Sequence, residues 1–130
     1  LARITRKKEL SYGVEGNHET LRRLTVEVGE ETVSSLLVVF SDELTRYSDQ
    51  LSEAPSAMQV REISHAIKSS AASFGADELA EFARECESRV KQGQESWVHD
   101  QLPRLTSLLE GTAIQYKALA GQQDLLDRLG

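Results

Sequence analysis

The chain is poor in residues that crosslink or interrupt a fold. One cysteine in 130 residues excludes an intramolecular disulfide framework and fits a reducing compartment. Only two prolines occur, and the intervals between the eight glycines are long, which points to helices rather than to turn-rich β structure. No apolar run approaches the ~20 residues of a membrane-spanning helix, and no signal peptide is visible. The net charge is −6 with no extended basic face, which argues against nucleic acid as a partner. Neither a P-loop nor a Gly-x-Gly-x-x-Gly run is present, so nothing cradles a nucleotide and the chain is no self-sufficient kinase. A nucleophile elbow is missing as well, which makes a Ser/His/Asp hydrolase a poor fit.

What remains is an ordinary globular composition, 39% apolar and 28% charged, at a length that suits one domain with a real core. Three parts are expected. Residues 1–16 read as a basic linker, with Arg3, Arg6, Lys7 and Lys8 and no acid in the first eight positions. Residues 17–120 read as the domain, and 121–130 as a C-terminal tail. No internal repeat is evident.

Within the domain, apolar residues recur at threes and fours. A short helix is expected from an Asn17 cap to Gly29, with the stripe Leu21, Leu24, Val28. A long one follows from Glu30 to Ala54, with Val33, Leu36, Leu37, Phe40, Leu44, Tyr47 and Leu51 inward and Pro55 as its stop. The next runs from about Ala57 to Phe74 and ends at Gly75. Asp77 is expected to cap a helix over Glu78–Gln92, with Leu79, Phe82, Ala83, Cys86 and Val90 inside. Cys86 on that stripe reads as a core thiol. The last helix spans Glu95 to about Ala120, carried by Trp97, Val98, Leu102, Leu105, Leu109, Thr112 and Tyr116. Pro103 either kinks it or marks its true first turn. The fold class is all-α: an antiparallel up-down-up-down four-helix bundle with a short extra N-terminal helix.

One stretch, residues 64–76, stands apart from this scaffold. His65, Lys68, Ser69 and Ala72 lie at i, i+3, i+4 and i+7, so they share one helical face. Val60, Ile63, Ile67, Ser70, Ala71 and Phe74 fall on the other side, which reads as the buried face. The imidazole is thus expected to look outward, beside a cation and among small residues, as suits a nucleophile approached by a large partner. A lone outward histidine beside a lysine is usually plain surface; the small residues on the same strip are what raise this one above that background. His18 has no Cys, Asp or His at ligand spacing and reads as a surface histidine; His99 has Asp100 beside it, but neighbouring residues point to different faces, so no metal site or catalytic pair is expected.

The stretch resembles the active-site helix of the histidine phosphotransfer (HPt) family. The family pattern is a histidine, an aliphatic residue at +2, lysine at +3, small residues at +4 and +5, and Gly at +10. Here those are His65, Ile67, Lys68, Ser69, Ser70 and Gly75. Ser69 departs from the commoner glycine but is still small. The resemblance implies a phosphorelay intermediate: His65 accepts a phosphoryl group through Nε2 from a phosphoaspartate on a response-regulator receiver domain and passes it to another. It implies Lys68 as a stabiliser of the phosphoryl oxygens, and Ser69 and Ala72 under the receiver's footprint. The family often has a polar residue 22 positions after the histidine that hydrogen-bonds Nδ1. Glu87 holds that place here, either in that role or as a surface carboxylate.

No cofactor of its own is expected, since the Mg²⁺ for transfer belongs to the receiver. The expected setting is cytoplasmic: a monomeric domain of an inner-membrane hybrid sensor histidine kinase, touching neither membrane nor nucleic acid. Such a chain is a phosphotransfer carrier with no ATP site. The competing reading is a non-catalytic helical adaptor that docks a receiver without carrying phosphate.

Overall fold

A computed structural model describes residues 18–122. Asn17, the basic segment and most of the tail therefore lie outside the described residues. Five helices follow one another: α1 His18–Val28, α2 Glu30–Leu51, α3 Ala57–Ser73, α4 Asp77–Lys91 and α5 Glu95–Ala120. No strand occurs among the described residues. Helices α2 to α5 form the antiparallel bundle. α3 packs closely along α4 and α2 along α5, α4 also meets α5, and short α1 leans on α2.

The connections explain the directions. Gly75 has φ 75°, a left-handed conformation that costs a side-chain-bearing residue but not glycine. It lets Ala76 N–H reach back to the Ala71 carbonyl at 2.8 Å, closing the end of α3 and reversing the chain within three residues. At the other end of α3, Ser56 caps the helix by accepting from the Gln59 N–H at 3.1 Å.

Several expected details are corrected. α2 stops at Leu51, not Ala54; Ser52 is its cap, and Ala54 has φ 50°. Asp77 is the first residue of α4 rather than its cap, which is Ala76; its carboxylate still favours the positive helix end. α5 begins at Glu95 and runs through Pro103, so the proline is not the first turn.

The core also differs from the apolar stripes. Val28 and Leu36 are exposed, while Thr25, Ser41 and Ser48 join the expected Thr112 inside. Each of these hydroxyls finds an acceptor. Thr25 donates to the Leu21 carbonyl, Ser41 to that of Leu37, Thr112 to that of Leu108, and Ser48 to Glu110 Oε1. A short hydroxyl that bonds one turn back removes its own desolvation cost, so small polar residues can sit inside. The periodicity of apolar letters cannot show this.

What matters for α3 is how firmly it is held. Ile67 and Ala71 are fully buried, and burial of a side chain like Ile67 stabilises by roughly 1.5–3 kcal/mol. At its C-terminal end, Phe74 packs on Phe40 with centroids 4.8 Å apart, and Phe40 meets Tyr116 edge-on at 5.3 Å. The buried Tyr116 hydroxyl donates to the Phe74 carbonyl at 2.8 Å. Ser70 adds a bond to Glu43 Oε1 on α2 at 3.0 Å. The outward face of α3 is therefore presented from a fixed rod.

Candidate functional site

His65 occupies the middle of α3, with its side chain 67% exposed. Ser69 and Ala72 are exposed on the same strip, while Gly75 is buried in the turn beyond. Glu87 is not a surface carboxylate. Its side chain is only 6% exposed, on the face of α4 that packs against α3. Its Oε2 lies 2.6 Å from His65 Nδ1, and its Oε1 accepts from Lys68 Nζ at 2.8 Å. Lys68, 33% exposed, is thus tied down to Glu87 rather than standing free beside the imidazole.

Two donors on one carboxylate determine its charge. The Glu87 carboxyl is pulled from an ordinary 4.5 to about 2, first by the Lys68 hydrogen bond and then by His65 and the charges of Lys68 and Lys91, with burial opposing. An ionised carboxylate only accepts. The hydrogen in the 2.6 Å contact must therefore be on Nδ1, which leaves Nε2 of the neutral ring with its lone pair. This is the arrangement an imidazole nucleophile needs, and the acceptor that imposes it comes from a different helix.

The site opens into a shallow basin of about 520 Å³ lined by Met58, Arg61, Glu62, His65, Glu87 and Lys91. A roomier cleft of about 910 Å³ lies elsewhere, where Arg104 stacks over the Phe82 ring at 4.7 Å. That cleft contains none of the expected site residues, and its walls are mutually paired Glu81–Arg84 and Glu85–Arg89 side chains. Chemistry, not volume, distinguishes the basin at His65.

The remaining reactive side chains are not part of this group. His18 is on α1 and His99 on α5. Cys86 is buried on α4, and burial pushes its thiol up to about 11. Sequence reasoning missed Lys91, half-exposed on α4 with its Nζ 3.8 Å from Glu87 Oε2. The i, i+4 spacing of Glu87 and Lys91 was the available signal.

Comparison with known proteins gives the family. The profile described as Hpt domain matches residues 35–115, which takes in most of α2, all of α3 and α4, and most of α5. The chain belongs to the Hpt domain family. Among curated relatives, the phosphorelay protein LuxU of Vibrio cholerae is 39% identical over 106 residues, covering 79% of this chain and 94% of that one. LuxU of Vibrio harveyi is 35% identical over 105 residues, covering 78% and 92%. LuxU of Vibrio vulnificus reaches 44% over 80 residues, covering 59% and 70%. No solved structure gives a significant match. As an Hpt domain, the chain is a phosphorelay intermediate of two-component signalling, with receiver domains as the kind of partner it serves. No helix among the described residues is long and apolar enough to cross a membrane.

Proposed function

We propose that His65 is the phosphoryl carrier of this Hpt domain, with Glu87 and Lys68 as its assisting groups. The observation that carries the reading is the 2.6 Å contact between His65 Nδ1 and buried Glu87, made by an imidazole whose other edge faces solvent. A receiver brings its aspartyl phosphate over the strip formed by His65, Ser69 and Ala72. The Nε2 lone pair attacks phosphorus. The N–P bond forms as the bond from phosphorus to the aspartate oxygen breaks, and that electron pair returns to the aspartate carboxylate. The Nδ1 proton stays in place, and Glu87 opposes the positive charge that develops on the ring. Lys68, within one turn, offers its ammonium to the phosphoryl oxygens as a compact point charge. The reverse sequence hands the group to a second receiver.

The Mg²⁺ that such transfer uses is assigned to the receiver's acidic pocket. The donor set here supports that assignment, because both oxygens of Glu87 are already taken by protein donors.

The test is incubation with a phosphorylated receiver, followed by detection of acid-labile phosphate on the wild type and on His65→Gln. Label on the wild type alone is the expected result. Label on His65→Gln as well would move the site to His18 or His99. Docking without any label would make the chain a non-catalytic adaptor.

A further inference from the structure

Lys91 has no part in the mechanism above, yet it converges on the same carboxylate as His65 and Lys68. Among the described residues, Lys68 and Lys91 are the two lysines within 4 Å of Glu87. They are not equivalent. Lys68 reaches across from α3 and bonds Oε1 at 2.8 Å, at 33% exposure. Lys91 follows Glu87 by one turn on α4, is 50% exposed, and stops at 3.8 Å from Oε2, beyond hydrogen-bonding distance. Glutamate four residues before lysine is the favourable order for such a pair, and the flexible lysine stem needs to move by only about 1 Å to bond.

Phosphorylation changes what is asked of Lys68. A phosphoryl group on Nε2 brings up to two negative charges within its reach, on the far edge of the ring from Glu87. As Lys68 turns toward those charges, Glu87 gives up its lysine hydrogen bond and keeps only the Nδ1–H of the ring, which is now cationic. A buried carboxylate with no lysine on it takes up a proton more readily, and taking the Nδ1 proton from the cationic ring would end its hold as an acceptor on Nδ1–H.

We propose that Lys91 is the reserve counterion of Glu87: when Lys68 is drawn to the phosphoryl group on His65, Lys91 closes onto the carboxylate and keeps it bonded to Nδ1–H. The inference rests on His65 being the carrier. Lys91 is then a positioning residue that acts through Glu87 and touches neither phosphorus nor the attacking nitrogen. The site works as an exchange of two cations on one buried anion, which a neutral amide at position 87 would not require.

Single-turnover transfer from a phosphorylated receiver tests this in five proteins: wild type, Lys91→Ala, Lys91→Arg, Glu87→Gln and Glu87→Gln/Lys91→Ala. Lys91→Ala should be about tenfold slower, the size of one modest lost interaction in the transition state, and Lys91→Arg should recover most of the rate. On the Glu87→Gln background, adding Lys91→Ala should slow transfer by no more than about twofold, because no buried charge needs a partner. A Lys91→Ala protein as fast as wild type overturns the inference. So does a full tenfold loss on the Glu87→Gln background, which would mean that Lys91 contacts the phosphoryl group or the receiver directly. A wild type that takes no label overturns the carrier reading and this one with it.

Thermal melting gives a readout independent of transfer. With Lys68 removed, Lys91 should already serve Glu87, so Lys68→Ala/Lys91→Ala should melt lower than the sum of the two single shifts. Strict additivity would refute the exchange.

Discussion

Glu87→Gln is the most informative single change. It preserves shape and one acceptor for His65 Nδ1–H but removes the charge that holds Lys68. The depressed carboxyl, about 2 against an ordinary 4.5, bounds the lost stabilisation at about 3 kcal/mol. Lys68 is 33% exposed and can turn to water, so solvent screening brings the expected loss to about 1–2 kcal/mol. For a domain of this size that is a fall in Tm of about 4–8 °C at pH 7.

The pH dependence separates this cause from generic repacking. A carboxyl whose folded value lies below its unfolded one binds fewer protons folded than unfolded between the two. Its stabilisation is therefore complete above about 4.5 and disappears as pH falls toward about 2. Glutamine does not titrate, and the other carboxylates are common to both proteins. The gap in Tm between wild type and Glu87→Gln should thus be present at pH 5 and close progressively below 4.5. Circular dichroism melts at pH 7, 5, 4 and 3 measure it. A gap that stays constant down to pH 3 would show that ionised Glu87 is not what stabilises the site. A more stable Glu87→Gln protein would show that burying this charge costs more than its pairing returns.

Other outcomes follow from the same geometry. Ser69→Tyr and Ala72→Trp, at exposed positions, should change stability by no more than about 0.5 kcal/mol in denaturant titrations. They should slow transfer from a receiver severely but from phosphoramidate little; equal loss with both donors would place these residues in the chemistry rather than under a docking partner. Gly75→Ala forces a side chain into φ 75° and should destabilise by about 1 kcal/mol in urea; unchanged stability would remove the strain argument for the α3 turn. Tyr116→Phe, which deletes the 2.8 Å bond to the Phe74 carbonyl, should cost about 1 kcal/mol, checked by the same titration.

The outward strip of α3 was legible in one dimension because helical phase is a local property. Ile63 and Ile67 must face the core, so His65, two positions from each, must face away, with Ser69 and Ala72 on its side. The same periodicity gave the five helices and put Cys86 inside. It failed where polar side chains satisfy themselves, as at Thr25 and Ser41, because the bond to a carbonyl one turn back leaves no mark in a pattern of apolar letters.

The family resemblance marked Glu87 as a partner for the imidazole, but left open a surface carboxylate. Tertiary structure alone decided that. Lys68 and Glu87 stand 19 residues apart on different helices, and only the register of α3 against α4 brings their charged atoms to 2.8 Å. That register buries the carboxylate, depresses its proton affinity, fixes the hydrogen on Nδ1 and sets Lys91 just out of bonding reach. Helical phase is written residue by residue, whereas the depth of a charge and the partners it meets depend on how two helices slide past each other.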